Sequence, residues 1–247
     1  SEGGYNANTT DFVSWNWKGG GAAVDNTDGT ITSSVSANTD AGFSVVTWTG
    51  TGTAATDVGH GLSETPNIII IKNLTSAEAW VVGATPLPNW GWKLVLNTAA
   101  DDTYHPEAFN GAAPNSSFFR LGNSNETNED DSTFVAYCFH SVEGYSKVGS
   151  YEGNGNVDGT FIYTGFRPAY FLIKNIDSAN GWFIMDDKRN TYNVLDKSLD
   201  VQDNAAEGDE DQLDFLSNGV KLRTTSGGRN TSGDSYIYLA FAESPFK

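Results

Sequence analysis

The chain has 247 residues, 38% hydrophobic and 13% aromatic, enough apolar content to fold as two domains of ordinary size. Its formal net charge of −17 argues against nucleic acid or an anionic membrane surface as partner. A single cysteine excludes an internal disulfide, and no apolar run approaches the roughly 20 residues of a membrane-spanning helix.

In chain order, the opening "SEGGYNANTT" is polar and lacks the apolar core of a signal peptide. The next segment, "FVSWNWK" (12–18), alternates and matches two later stretches, "FVAYCFH" (134–140) and "YIYLAFA" (236–242). Those two close internal repeats. Residues 12–18 are therefore expected to form the last strand of a further, upstream copy. Residues 1–23 read as that remnant and 24–41 as a linker.

From residue 42 onward the sequence is duplicated. Trp48, Gly50 and Gly52 of "VTWTGTG" fall on Tyr151, Gly153 and Gly155 of "GSYEGNG", an offset of 103. "PNIIIIKN" falls on "PAYFLIKN", with Lys72 on Lys174, and Trp80 falls on Trp182, an offset of 102. Alternating and continuous apolar runs of strand length, separated by Gly, Asn, Asp, Ser and Thr, predict an all-β protein. Helical periodicity is weak and confined to 193–216. The expected architecture is two tandem jelly-roll or lectin-like antiparallel β-sandwiches, residues 42–146 and 147–247, preceded by the 1–41 strand and linker.

Candidate chemistry is sparse. Cys138 falls on Ala240 and His140 on Ala242, which reads as packing rather than catalysis. His60 and His105 lie in loops, and no two histidines sit at metal-ligand spacing. There is no nucleophile elbow, zinc-protease helix or phosphate loop. The acidic segments 123–131 and 203–214 offer oxygen ligands for Ca²⁺ but match no calcium-loop pattern, so solvated charge is the simpler reading and no cofactor is expected. Asn8, Asn73, Asn115, Asn125 and Asn230 head N-x-[ST] sequons, which matter only in a eukaryotic secreted protein. The best candidate for ligand contact is "NWGWK": Trp90 and Trp92, with Tyr192 at the matching position of the second repeat, could stack on sugar rings. Asn89 and Asn193 would bond the hydroxyls. Packing explains the same rings.

Taken together, "VGSYEGNGNVDGTFIYTGFRPAYFLIKN", "GWFIMDDKRNTYNVL", "LDFLSNGVKLRTTSGGRNTSGDSYIYLAFAESPF" and, upstream, "VSANTDAGFSVVTWTGTG" with "VGHGLSETPNIIIIKN" resemble a repeat family of tailed-bacteriophage virion proteins, chiefly tail and fibre proteins. Repeat one departs from it at "HPEAFNGAAPNSSFFRLG". The resemblance implies a non-enzymatic structural module located in the virion, assembled as a homo-oligomer with other virion proteins and involved in host attachment, with surface glycan as a possible receptor. It carries no catalytic residues. A capsid decoration protein and a secreted bacterial carbohydrate-binding module are the alternatives, and a capsule depolymerase ranks behind both for want of an acid–base pair.

Overall fold

The structure, a computed structural model, describes residues 11–245. Its strands in the first part of the chain are β1 (Val24–Asn26), β2 (Ser33–Asn38), β3 (Phe43–Thr49), β4 (Thr56–Gly59), β5 (Ile68–Asn73), β6 (Val81–Ala84), β7 (Trp92–Val95), β8 (Thr103–Tyr104), β9 (Phe118–Leu121) and β10 (Thr133–Phe139). The second part contributes β11 (Ser146–Glu152), β12 (Phe161–Tyr163), β13 (Pro168–Asn175), β14 (Trp182–Asp186), β15 (Leu195–Asp200), β16 (Gly208–Leu216), β17 (Gly219–Leu222) and β18 (Ser235–Ala242). Three single-turn helices, α1 (Pro106–Phe109), α2 (Asn125–Asn128) and α3 (Gly227–Asn230), sit in connections. The protein is all-β, and every strand pair is antiparallel.

Two eight-stranded sheets dominate, ordered β1-β2-β3-β10-β5-β6-β7-β8 and β11-β18-β13-β14-β15-β16-β17-β12. A two-stranded β4–β9 sheet backs the first. The second curls on itself: Thr160, the residue before β12, donates its hydroxyl to the Glu152 carbonyl at the end of β11, bringing the two edges together in a nearly closed barrel.

The continuous apolar runs have a direct physical cause. Side chains alternate across a strand, so a strand buried on both faces must be apolar throughout. In β5, Ile69 and Ile71 enter a first core with Trp48, Phe119 and Phe134, while Ile68 and Ile70 face the opposite way. In β13, Phe171 and Ile173 fill the barrel with Met185, Phe215 and Tyr236, and Tyr170 and Leu172 turn outward. Both outward faces meet in a shared core that contains Ile68, Val82, Leu94 and Phe139 of the first sheet and Leu172, Trp182, Ile184 and Phe241 of the second.

Register places Lys72 opposite Val135 and Lys174 opposite Ile237. The glycines of "VTWTGTG" and "GSYEGNG" also behave alike. Gly52 (φ +61°) and Gly155 (φ +65°) occupy the left-handed region that favours glycine. Gly50 and Gly153 lie so close to backbone that an added Cβ would stand 2.2 Å from the carbonyl oxygens of Glu129 and Thr231.

Three expectations need correction. Residues 12–18 join no sheet within this chain; Trp15 and Trp17 are half-buried and pack against the shared core instead of pairing at a sheet edge. The 24–41 linker instead supplies β1 and β2, because Val35 and the half-buried Ala37 cover the first core. The segment 193–216 forms β15 and β16 rather than a helix; Leu195 pairs with Leu213, and both point into the barrel. Asn8 lies outside the described residues.

Candidate functional site

The five residues expected to face a glycan are dispersed. Asn89 opens a turn: its carboxamide oxygen accepts from the Gly91 amide at 2.8 Å, and its carbonyl accepts from the Trp92 amide at 3.1 Å. That turn sends the flanking rings to opposite sides of the sheet. Trp90 is only 6% exposed in the first core, edge-on to Phe109 at 5.2 Å. Trp92 packs against the shared core and meets Tyr104 at 5.7 Å. Tyr192 is 83% exposed on the other half of the molecule. Asn193 spends its carboxamide on Phe215, donating to its carbonyl and accepting from its amide at 3.0 Å each. A sugar cannot stack on the covered face of Trp90, so the expected five-residue site is not assembled.

The other candidates are mostly absorbed by the fold. Cys138 is buried, and burial pushes its thiol pKa up to about 12, where it is no nucleophile. His60 is buried, with Nε2 at 3.0 Å from the Asn115 carbonyl and Nδ1 accepting from the Leu62 amide at 3.1 Å. Burial lowers its pKa, chiefly by desolvation, so it stays neutral. His105 lies 3.6 Å from the carboxylates of Glu107 and Glu126, and His140 sets Nδ1 at 3.1 Å from the Ser141 carbonyl. In the acidic segment 123–131, Glu126 pairs with Lys93, and Glu129 accepts from Asn73, Ser76 and Ser132. In 203–214, Glu207 pairs with Arg189 and Asp214 with Arg223. Among the described residues, no group of three or more His, Cys, Asp or Glu could hold a metal.

What the structure brings together is a set of polar clamps placed alike in both halves. Asn73 holds the β5–β6 turn: its carboxamide oxygen accepts from the Thr75 and Ser76 amides, and its NH₂ donates to the Asn125 carbonyl and Glu129. Asn175 does the same with the Asp177 and Ser178 amides, the Gly227 carbonyl and Asp234. Asn128 ties Thr51, Thr53 and Gly122 together, and Asn230 ties Asn154, Asn156 and Thr224. Lys72 and Lys174 each turn their ammonium onto carbonyls of the following turn. Buried polar groups need such partners, because an unpaired one costs about 1–3 kcal/mol. The signal for these clamps is the "IKN" shared by the two strands, whose apolar run points to burial but not to the role of the asparagine.

The second feature is an apolar cleft of about 550 Å³ along the seam between the sheets, lined by Trp15, Trp17, Ile70, Trp80, Tyr137 and Leu172 among others. Trp80 stacks on Tyr137 at 6.4 Å, and Trp15 meets Tyr170 at 5.8 Å. Such a surface suits apolar protein side chains rather than proton or group transfer.

A family model described as a domain of unknown function, DUF7483, matches residues 1–245. No curated protein and no solved structure matches the chain significantly.

Proposed function

We propose, on the premise that the chain belongs to the DUF7483 domain family, that it is a non-enzymatic scaffold made of two copies of one β-unit. It would build part of a tailed-bacteriophage virion, in a tail fibre or appendage that serves host attachment. Each copy would be a sheet backed by a second layer, the sandwich plan of jelly-roll and lectin-like domains.

The observation that carries this reading is the contrast between what recurs and what does not. The register at Lys72 and Lys174 recurs, as do the asparagine clamps. So do the ring stacks Trp48–Phe134, at 5.3 Å, and Tyr151–Tyr236, at 4.8 Å. The reactive groups do not: Ala240 and Ala242 stand where Cys138 and His140 would be. Duplication has kept the groups that hold the backbone and none that does chemistry, which is what a fibre segment requires. Placement in the virion rests on the resemblance of the repeat sequence. Assembly with further copies would supply reach and multivalent attachment.

Immunogold electron microscopy of particles of the source phage tests this, with antibody raised against the chain. Label along tail fibres or appendages is expected, and the purified protein should release no reducing sugar from host capsule. A chain absent from particles but secreted by a bacterium and bound to polysaccharide would overturn the reading in favour of a carbohydrate-binding module.

A further inference from the structure

The two sheets present equivalent faces to their seam: Ile70 matches Leu172, Val82 matches Ile184, and Phe139 matches Phe241, all lying in or against the shared core. A two-fold arrangement of such faces would make every contact twice. It does not. Trp182 is buried and donates from Nε1 to the Val95 carbonyl of the first sheet at 3.0 Å. Trp80, at the same position of the first sheet, stays half-buried and lines the open cleft. The amide of Asp102, in the first half of the chain, donates to the Ile176 carbonyl of the second, a further bond across this seam. The interface is heterologous.

Residues 12–18 account for the asymmetry. Aligning "FVSWNWK" on β10 and β18 puts Trp17 at the position of Phe139 and Phe241. The three rings form a rosette. Trp17 lies 6.0 Å from Phe139 and 5.4 Å from Phe241, and Phe139 lies 6.0 Å from Phe241. The interplanar angles are 73°, 59° and 65°. Three equivalent residues at nearly equal distances and angles describe a three-fold arrangement of which two sides are built. The third side is reduced to one segment outside both sheets. β10 is flanked by β3 and β5, and β18 by β11 and β13. Residues 12–18 pair on neither edge: no backbone–backbone hydrogen bond reaches them among the described residues. Clefts run along them instead, the 550 Å³ one toward Trp80 and another of about 450 Å³ toward Tyr145 and Ala169.

We propose that a third copy of the unit completes a three-sided β-prism. Residues 12–18 are its last strand, and the remainder lies N-terminal to them in the parent polypeptide. Its two neighbouring strands pair with both edges of 12–18, and its third sheet covers Trp80 as the first sheet covers Trp182. This rests on the duplication reading above and extends the interface already present between the sheets.

Hydrogen exchange tests it on the parent polypeptide and on residues 1–247, together with binding of the apolar dye 1-anilinonaphthalene-8-sulfonate. In residues 1–247 the amides of 12–18 should exchange nearly unprotected, and the dye should bind. In the parent those amides should slow by about two orders of magnitude or more, and dye binding should vanish. Unprotected 12–18 amides in the parent, or a parent with no copy of the unit upstream, would overturn the proposal. So would a dimer of residues 1–247, seen by sedimentation, that protects 12–18 and excludes the dye, because a second chain would then be the occupant. An experimental structure placing Lys72 and Lys174 in unrelated strands would sink the duplication reading itself, an outcome separate from any exchange result at 12–18.

Discussion

The indole N–H of Trp182 donates to the backbone carbonyl of Val95, 3.0 Å away, and so fastens the second sheet to the first. The ring is 1% exposed, and Lys174, eight residues earlier, reaches the Ala99 carbonyl across the same seam at 3.4 Å. Buried polar bonds and apolar packing join the two sheets along this seam.

Replacing Trp182 by alanine should therefore cost about 3–5 kcal/mol, the range for emptying a large aromatic site. Trp182→Phe keeps most of the packing and leaves the Val95 carbonyl its second donor, the Thr98 amide at 3.4 Å, so losing the indole bond should cost about 0.5–1.5 kcal/mol. Trp80→Ala, in the open cleft, should cost less than half of the Trp182→Ala loss. Urea denaturation of the three variants checks the order; equal losses at positions 80 and 182 would remove the asymmetry of the seam.

Lys174 gives the protein a pH signature. Burial lowers its pKa to about 8 against an ordinary 10.5, with Asp101 and Asp102 pulling the other way. Between those values the unfolded chain binds more protons than the folded one, so this residue adds stability as pH rises from about 8 to 10.5. Tyr170 and Tyr238, whose pKa values burial raises, oppose it above pH 10 by resisting ionisation in the folded state. The stability difference between wild type and Lys174→Met isolates the lysine: it should grow in favour of wild type across that window. A flat difference would mean the ammonium keeps its proton on the carbonyls it contacts.

Two glycine substitutions should separate crowding from conformation. Gly153→Ala drives a Cβ to within 2.2 Å of the Thr231 carbonyl, and backbone must move to admit it. Gly111 has φ +60° and nothing within 4 Å of an added Cβ, so Gly111→Ala meets only the backbone penalty, about 1 kcal/mol. Thermal melts should show a loss at 153 several times that at 111.

Cys138 should resist alkylation. Its thiol is buried among the first core, and burial holds its pKa near 12, so little thiolate forms at neutral pH. Labelling with iodoacetamide should follow global unfolding and rise with urea in step with the loss of tryptophan signal. Rapid labelling of the native protein would require an opening of the β3–β10 pair that the packing does not provide.

How much of this was legible depended on the kind of order each segment has. The central strands were readable because two-face burial writes itself as uninterrupted Ile, Val, Leu and Phe, and because the pattern occurs in both "PNIIIIKN" and "PAYFLIKN". Residues 24–41 were not, since Ser, Ala and Asn at a sheet edge look like a linker until Val35 and Ala37 are seen over a core. Trp90 and Trp92 read as a pair because they are two apart, yet the turn at Asn89 breaks the strand rule that would have put them on one face. Asn193 offered a free carboxamide on paper, and only the fold shows Phe215 beside it.

The asparagine clamps set a limit on where this protein can be made. Asn73 and Asn230 head acceptor sequons, yet both side chains are buried, with each NH₂ donating to the protein itself. An oligosaccharide transferred to either nitrogen during translocation would occupy the atom that must later close the clamp. Modification and folding would then compete for the same amide, and a eukaryotic secretory host would sort the product into a folded, sugar-free fraction and a glycosylated fraction unable to finish its turns. A cytoplasmic bacterial host imposes no such choice.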